Sequence, residues 1–456
     1  MKRLTSCLAF FAVVGSLFAA NPGDKPNILL IVSDDQGYAD VGFHGCTDIP
    51  TPNLDRLAKS GIRFSNGYVT HAFCSPTRAA LLTGRYQQRF GHENNPAYDP
   101  NSHREGLPTT ETLLPKFLKD AGYVTGWIGK WHLGAATEFH PENRGFTETF
   151  GFLGGGHRYY NWKPALSGSG QEYNEPILRN GQPVEVTNHL TTAFGNEGAA
   201  FVRRHGKEPW FLYLAFNAPH SPNEPTPERL ARFTSIENPK RRKYAAQVSL
   251  MDDAIGNVLA ALRESGQEKK TLVFFFSDNG GQINSNSWEG ASNLPLRDGK
   301  GSVYEGGVRV PFVMSWAGKL PEGRVQDAMV SSLDVFPTTL ALAGVPMPTN
   351  KIYDGVNLMP FLTGADTNAP RRQHFWRLGG GKQLTVRDGD LKLVRPRNQA
   401  EALFDLAADR SESKDLSAER ADDAKRLGAM LDAWNKQLVP PAFPGRSAYG
   451  KSANEP

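Results

Sequence analysis

The chain has 456 residues, of which 21% are charged and 39% hydrophobic, and carries a formal net charge of +4. That length suits a large α/β domain with a smaller companion rather than one small core. The near-balance of charge counts against a nucleic-acid binder, which concentrates basic residues, and three cysteines make no disulfide framework for a chain this long.

Residues 1–20 read as a signal peptide. Lys2 and Arg3 supply the charged start, residues 8–18 an apolar run, and Ala19-Ala20 small residues for cleavage. The run is too short to span a bilayer, and no later segment approaches about 20 uninterrupted apolar residues. The expectation is an exported protein, periplasmic or extracellular, with no membrane span and no nucleic-acid partner. Cys46 reads as a small buried residue.

Four later runs have strand length and end in polar residues. Residues 28–32 lead into Ser33-Asp34-Asp35-Gln36-Gly37, and residues 123–128 into Gly129-Lys130-Trp131-His132. Residues 211–216 end in Asn217-Ala218-Pro219-His220, and residues 271–276 in Ser277-Asp278-Asn279-Gly280-Gly281. Continuous apolar runs suit strands buried on both faces, hence a largely parallel sheet between helices. Helical spacing appears over residues 113–121, stopped by Gly122, and over residues 243–264. In such sheets ligands bind beyond the carboxyl ends of the strands, where Asp34, Asp35, Lys130, His132, His220, Asp278 and Asn279 all fall.

Either acidic pair alone is a good solvated turn. Their shared position beyond parallel strands favours a cation site instead, and three carboxylates with one amide suit a hard ion such as Ca2+ or Mg2+. Between the first two strands lies Cys74-Ser75-Pro76-Thr77-Arg78, followed by Thr83-Gly84-Arg85. Pro76 suits the first turn of a helix, which puts Cys74 at an N-terminus where free N–H groups favour an anion. Lys130 and Lys300 sit in Gly-rich, otherwise apolar contexts that point to functional partners. Arg309 reads as a structural ion-pair residue. His71, His103 and His374 read as ordinary core or surface histidines.

After about residue 370 the pattern changes. Residues 383–387 and 391–395 flank Asp388-Gly389-Asp390, a hairpin signal, residues 403–406 form another short strand, and residues 418–438 an amphipathic helix. The expected organisation is a catalytic domain over 21–370, a small α+β domain over 371–438 and a tail over 439–456.

Cys74, Pro76 and Arg78, the segment from Gly122 to His132, Lys300 with the following segment to Pro311, Asn217 to His220 and the two acidic pairs together resemble the type I sulfatases of the alkaline phosphatase superfamily. The motifs follow that family's order over roughly residues 25–365. The resemblance implies an alkaline-phosphatase-like sandwich and oxidation of Cys74 to formylglycine by a maturation enzyme. It selects Ca2+, bound by Asp34, Asp35, Asp278, Asn279 and residue 74. It further implies that the hydrated aldehyde attacks sulfur in line. Lys130, Lys300 and Arg78 would neutralise charge, His220 would protonate the leaving oxygen, and His132 would help to expel sulfate. Lys130, His220 and Lys300 would also bind substrate. A sulfated carbohydrate is the expected substrate, because the loop from Gly154 to Trp162, including His157, combines flexible backbone with aromatic and hydrogen-bonding groups. The stretch Glu93-Asn94-Asn95, with Glu93 foremost, is a second candidate for contact with the sugar.

Overall fold

The computed structural model describes residues 25–160, 173–284, 287–370 and 373–444. The signal-peptide segment, Trp162 and the tail beyond residue 444 lie outside the described residues.

Five parallel strands form the middle of a ten-stranded sheet, in the order Thr271–Ser277, Asn27–Ser33, Trp210–Ala215, Val124–Lys130 and Glu148–Phe152. Phe312–Ser315 runs antiparallel beside Thr271–Ser277, and Ile62–Phe64 and Arg324–Gln326 complete that edge. Leu178–Arg179 and Gln182–Pro183 form a short hairpin at the other.

The uninterrupted apolar character of the central strands follows from cover on both faces. Ile28, Leu30 and Val32 enter one core with Leu81, Leu114, Leu118 and Phe336. Their neighbours Leu29 and Ile31 enter the opposite core with Phe194, Val202, Met251 and Val258. Helices Cys74–Thr83, Leu114–Asp120 and Val335–Ala343 supply the first layer. Pro52–Lys59, Leu190–Arg204 and Pro239–Glu264 supply the second.

The longest helix begins at Pro239, a turn before its apolar periodicity does. Asn238 caps it, accepting from the N–H groups of Lys240 and Arg241, and Pro239 takes the first position. The basic run from Lys240 to Lys243 carries no apolar spacing, so that turn has no hydrophobic signature.

A separate antiparallel sheet follows, with strands Gln373–Leu378, Gln383–Asp388, Leu391–Arg395 and Ala402–Asp405 in sequence order. The two-residue loop Gly389-Asp390 closes the central hairpin, with Gly389 at φ 61°. Helix Ala421–Asn435 covers one face through Leu427, Leu431 and Trp434. Ala80, Tyr86 and Leu333 from the larger unit enter the same core, so the small sheet leans on the helix that begins with Cys74. No helix among the described residues is long and apolar enough to cross a membrane.

Candidate active site

Strand register builds the floor of the site. Asn27–Ser33 and Thr271–Ser277 pair in parallel up to Ser33 opposite Ser277, so Asp34-Asp35 and Asp278-Asn279 leave the sheet side by side. Asp278 N–H donates to the Ser33 carbonyl at 3.0 Å, Asp35 N–H donates to Asp278 Oδ1 at 3.2 Å, and Asn279 Nδ2 donates to Asp35 Oδ1 at 2.7 Å. All four residues are buried.

Buried carboxylates at this spacing need countercharge. Lys130, the last residue of its strand, donates to both Asp34 oxygens at 2.9 and 2.7 Å. Arg78 Nε donates to Asp278 Oδ2 at 2.9 Å, and its terminal nitrogen lies 3.7 Å from Asp34. Lys300 Nζ donates to Asp35 Oδ2 at 2.6 Å. Three cations therefore meet three carboxylates. Burial would raise the Asp35 carboxyl, but Lys300, His220 and Lys130 outweigh it and hold the group well below the usual range. Asp278 is pushed up to about 6 by burial and by the Asp34 charge.

The donor set fits a hard divalent cation. Ligand atoms of Asp34, Asp35, Cys74 and His220 lie within 4.8 Å of one another. Asn279 uses its Nδ2 on Asp35 and the Gly280 carbonyl, while its buried Oδ1 has no hydrogen-bond partner among the described residues. An orphaned amide oxygen among carboxylates is the feature a bound cation satisfies.

Cys74 opens its helix, 1% exposed, with Sγ 3.7 Å from Asp35 Oδ1. Burial pushes its thiol far up despite Lys130 and Lys300, so unmodified Cys74 stays a neutral thiol. Arg78, one turn on, is fully buried; besides Asp278 it donates to the Lys130 carbonyl at 3.1 Å.

The two histidines differ in what their rings can do. His220 Nδ1 is 2.7 Å from the Ser221 carbonyl, which can only accept, so Nδ1 carries the proton. In the neutral ring Nε2 is then a lone pair, 3.6 Å from Asp35 Oδ2. Burial draws the His220 pKa down to about 4, against the pull of Asp35. His132 adopts φ 59° and anchors its N–H on the Leu153 carbonyl at 3.0 Å. Burial, Lys130 and Arg78 hold it well below its ordinary pKa.

Above the floor opens a cavity of about 340 Å3 onto which Asp35, Cys74, His132, His220 and Lys300 all face. Its walls are Phe73 with Asn94-Asn95-Pro96, Gly155-Gly156 with Tyr173, and Ser221 with Gln282, Ser287 and Glu289. Lys130 and Arg78 are fully buried behind the floor carboxylates they bond and are not among the residues that line this cavity.

Neither Glu93 nor His157 reaches the cavity, although other residues of both candidate stretches do. Glu93 points away from it into a buried pair with Arg377, at 3.0 and 2.7 Å, and accepts from Gly380 N–H at 2.9 Å. Its neighbours Asn94 and Asn95 line the wall instead. His157 is fully buried, its ring nitrogens 2.7 and 2.8 Å from the carbonyls of Arg158 and Glu175, which hold the ring in place. It shapes the loop whose glycines face the cavity. Glu289, Gln282, Ser287 and Tyr173 carry no motif and were not legible as site residues. Arg309 pairs with Glu305 at 3.2 Å, as a structural residue does.

A Sulfatase family model matches residues 26–345, and a model for the C-terminal region of N-sulphoglucosamine sulphohydrolase matches residues 298–437. Human N-acetylgalactosamine-6-sulfatase is 38% identical over 365 residues, covering 75% of this chain and 67% of that protein. Human arylsulfatase A is 37% identical over 388 residues, covering 80% and 72%. The crystal structure of Ps i-CgsB in complex with k-i-k-neocarrahexaose superposes with a TM-score of 0.87 at 38% identity, covering 93% of this chain and 95% of that one. A phosphonate monoester hydrolase from Silicibacter pomeroyi, at 21% identity and a TM-score of 0.66, shares the fold. Sheet, site and sequence thus define a sulfuric ester hydrolase. The chain belongs to the sulfatase family, as a type I sulfatase of the alkaline phosphatase superfamily.

Proposed function

We propose that this sulfatase is exported and removes sulfate from a sulfated carbohydrate, using Ca2+ and a formylglycine made from Cys74 by a maturation enzyme. The observation that carries the proposal is the meeting, in one cavity, of Cys74 at a helix N-terminus, the carboxylate–amide floor, Lys300 and two histidines. Relatives named for N-acetylgalactosamine 6-sulfate and a homologue solved with a carrageenan oligosaccharide support the carbohydrate.

Asp34, Asp35, Asp278 and Asn279 would hold the cation, whose chemistry is to stabilise anionic oxygen as a Lewis acid. Residue 74, once oxidised, would supply a hydroxyl of the hydrated aldehyde in place of an inert thiol. The charge of the site fits this use. Three carboxylates and three cations cancel, so a divalent ion leaves a surplus matched by the sulfate ester and a deprotonated nucleophile.

The protein's own groups do the rest. Lys300 reaches the cavity and offers its ammonium to a sulfate oxygen. Lys130 fixes both oxygens of Asp34, and Arg78 fixes Asp278, so the floor stays rigid as charge develops above it. His132, neutral at ordinary pH, accepts a proton. His220 exchanges a proton at Nε2 only, because Nδ1 is committed to Ser221; protonated there, it acts as the acid for the leaving oxygen.

Peptide mass spectrometry of protein made with the maturation enzyme tests the reading. The Cys74 peptide should be lighter by about 18 Da, the change from thiol to aldehyde, and Cys74→Ala should release no sulfate from a sulfated saccharide. Undiminished release by Cys74→Ala overturns the nucleophile assignment.

A further inference from the structure

Among the described lining residues, the catalytic roles account for every charged group except one. Asp35 belongs to the floor and pairs with Lys300. Glu289 is the other carboxylate among the described lining residues, and it lies on the wall that carries Ser221, next to His220. Its side chain accepts from Ser221, and its backbone carbonyl accepts from Asn223 Nδ2 at 3.4 Å. His220, Asp35 and Lys300 are close enough to act on its charge. Glu289 is therefore not a solvated surface acid; it shares the cavity wall with His220, the proposed proton donor that the leaving oxygen must approach.

Among the described residues, the remaining walls hold no countercharge for a second anion. Asn94, Asn95, Ser221, Gln282, Ser287 and Tyr173 are neutral hydrogen-bonding groups. Among the described lining residues the single fixed cation is Lys300, already paired with Asp35. A second sulfate or a carboxylate on the ring being desulfated would meet Glu289 with no offsetting charge among the described lining residues. A ring hydroxyl, in contrast, would find an acceptor there. Specificity of this kind rests on the repulsive element as much as on the attractive ones.

We propose that Glu289 is a specificity-determining residue that accepts a hydroxyl of the sulfated ring and rejects rings bearing a second anionic group. The substrate class is then a monosulfated, otherwise neutral sugar residue. The proposal rests on the sulfatase reading, and its charge filter does not require the alcohol to be a sugar.

Paired aryl sulfates test the filter independently of the carbohydrate assignment. Phenyl sulfates carrying a carboxylate at the 2-, 3- or 4-position are compared with their carboxamide isosteres by kcat/KM in the matured enzyme. The wild type should prefer the neutral ester by about tenfold or more at one position or more, the scale of a like-charge contact in a confined site. Glu289→Gln should collapse that preference towards unity, and Glu289→Asp, which keeps the charge, should retain it. A preference equal in wild type and Glu289→Gln at all three positions overturns the proposal. So does a wild type that favours the carboxylates.

Discussion

At the scale of single residues, the site depends on what is missing as well as on what is present. Gly155 lies against the ring of His132, and a Cβ added there would sit 2.8 Å from Nε2 and 3.0 Å from Cε1. Such contacts are closer than carbon tolerates, so either the imidazole or the loop must move. His132 has little room to yield, because its side chain is buried and its backbone is fixed at φ 59° by the bond to Leu153. Only a change of rotamer within the packed site could relieve the contact. Gly155→Ala should therefore lower kcat by about tenfold or more, since small misplacements of a catalytic group cost that much, while leaving the melting temperature within a few degrees of wild type. A kcat equal to wild type would show that His132 has no positional role. The same scale explains what the sequence concealed. Lys130 and the acidic pairs announce themselves because they follow apolar strands, and Cys74 because Pro76 marks a helix start behind it. Glu93 and Asn94 are adjacent, and nothing in their order says which turns inward. The structure puts the charged one into a pair with Arg377 and the amide on the cavity wall.

At the scale of elements, four of the five parallel strands were legible because burial on both faces leaves unbroken apolar runs, whereas Glu148–Phe152, broken by Glu148, Thr149 and Gly151, carries no such run. Gln373–Leu378 was not legible either, since its inward residues His374 and Trp376 and its neighbour Arg377 break any simple alternation. A less visible element closes the cavity wall. Residues 439–443 run along residues 88–94: Val439 N–H donates to the Gln88 carbonyl at 3.1 Å and Ala442 N–H to the Gly91 carbonyl at 2.8 Å. Asn94 Nδ2 donates to the Phe443 carbonyl at 2.8 Å, and Phe443 meets the edge of His92 with ring centroids 5.2 Å apart. His92 in turn bonds Ser75, next to Cys74, at 2.6 Å. This strap connects the chain's C-terminal stretch to the amide wall and to the nucleophile's helix. A chain stopped after Leu438 should bind saccharide several-fold more weakly, seen as a higher KM, than one stopped after Phe443. It should also lose about 1.5–3 kcal/mol of stability, the burial that the Phe443 ring contributes when present. Identical KM values for the two truncations would assign the strap to stability alone.

At the scale of the whole molecule, the two sheets are joined by a buried ionic tie beside the Lys300 loop. Lys392, on the small sheet, lies 2.8 Å from Glu305 and 2.8 Å from Glu412, and all three side chains are fully buried. Glu412 also accepts from the Glu305 backbone N–H at 2.7 Å. Two carboxylates on one ammonium cannot ionise equally well. Burial opposes charge on both, but Lys392, Arg309 and Arg387 hold Glu305 down to about 2. For Glu412 burial wins over Lys392, and the Glu305 charge adds to it, so the group is pushed up to about 7. The folded protein thus keeps a proton on Glu412 between about pH 4.5 and 7 that the unfolded chain has released. Wherever the native state binds more protons, stability falls as pH rises. Glu305 acts in the opposite sense, contributing stability above about pH 4.5 that is lost as the solution is acidified towards 2. Glu412→Gln imitates the protonated form and removes the first of these slopes. Its melting temperature should fall less than that of wild type between about pH 5 and about pH 8, the range that brackets the folded pKa, with the two curves converging at the acidic end. Curves that stay parallel across that range would mean that Glu412 is already ionised in the fold, and that Lys392 holds two full negative charges rather than one and a proton.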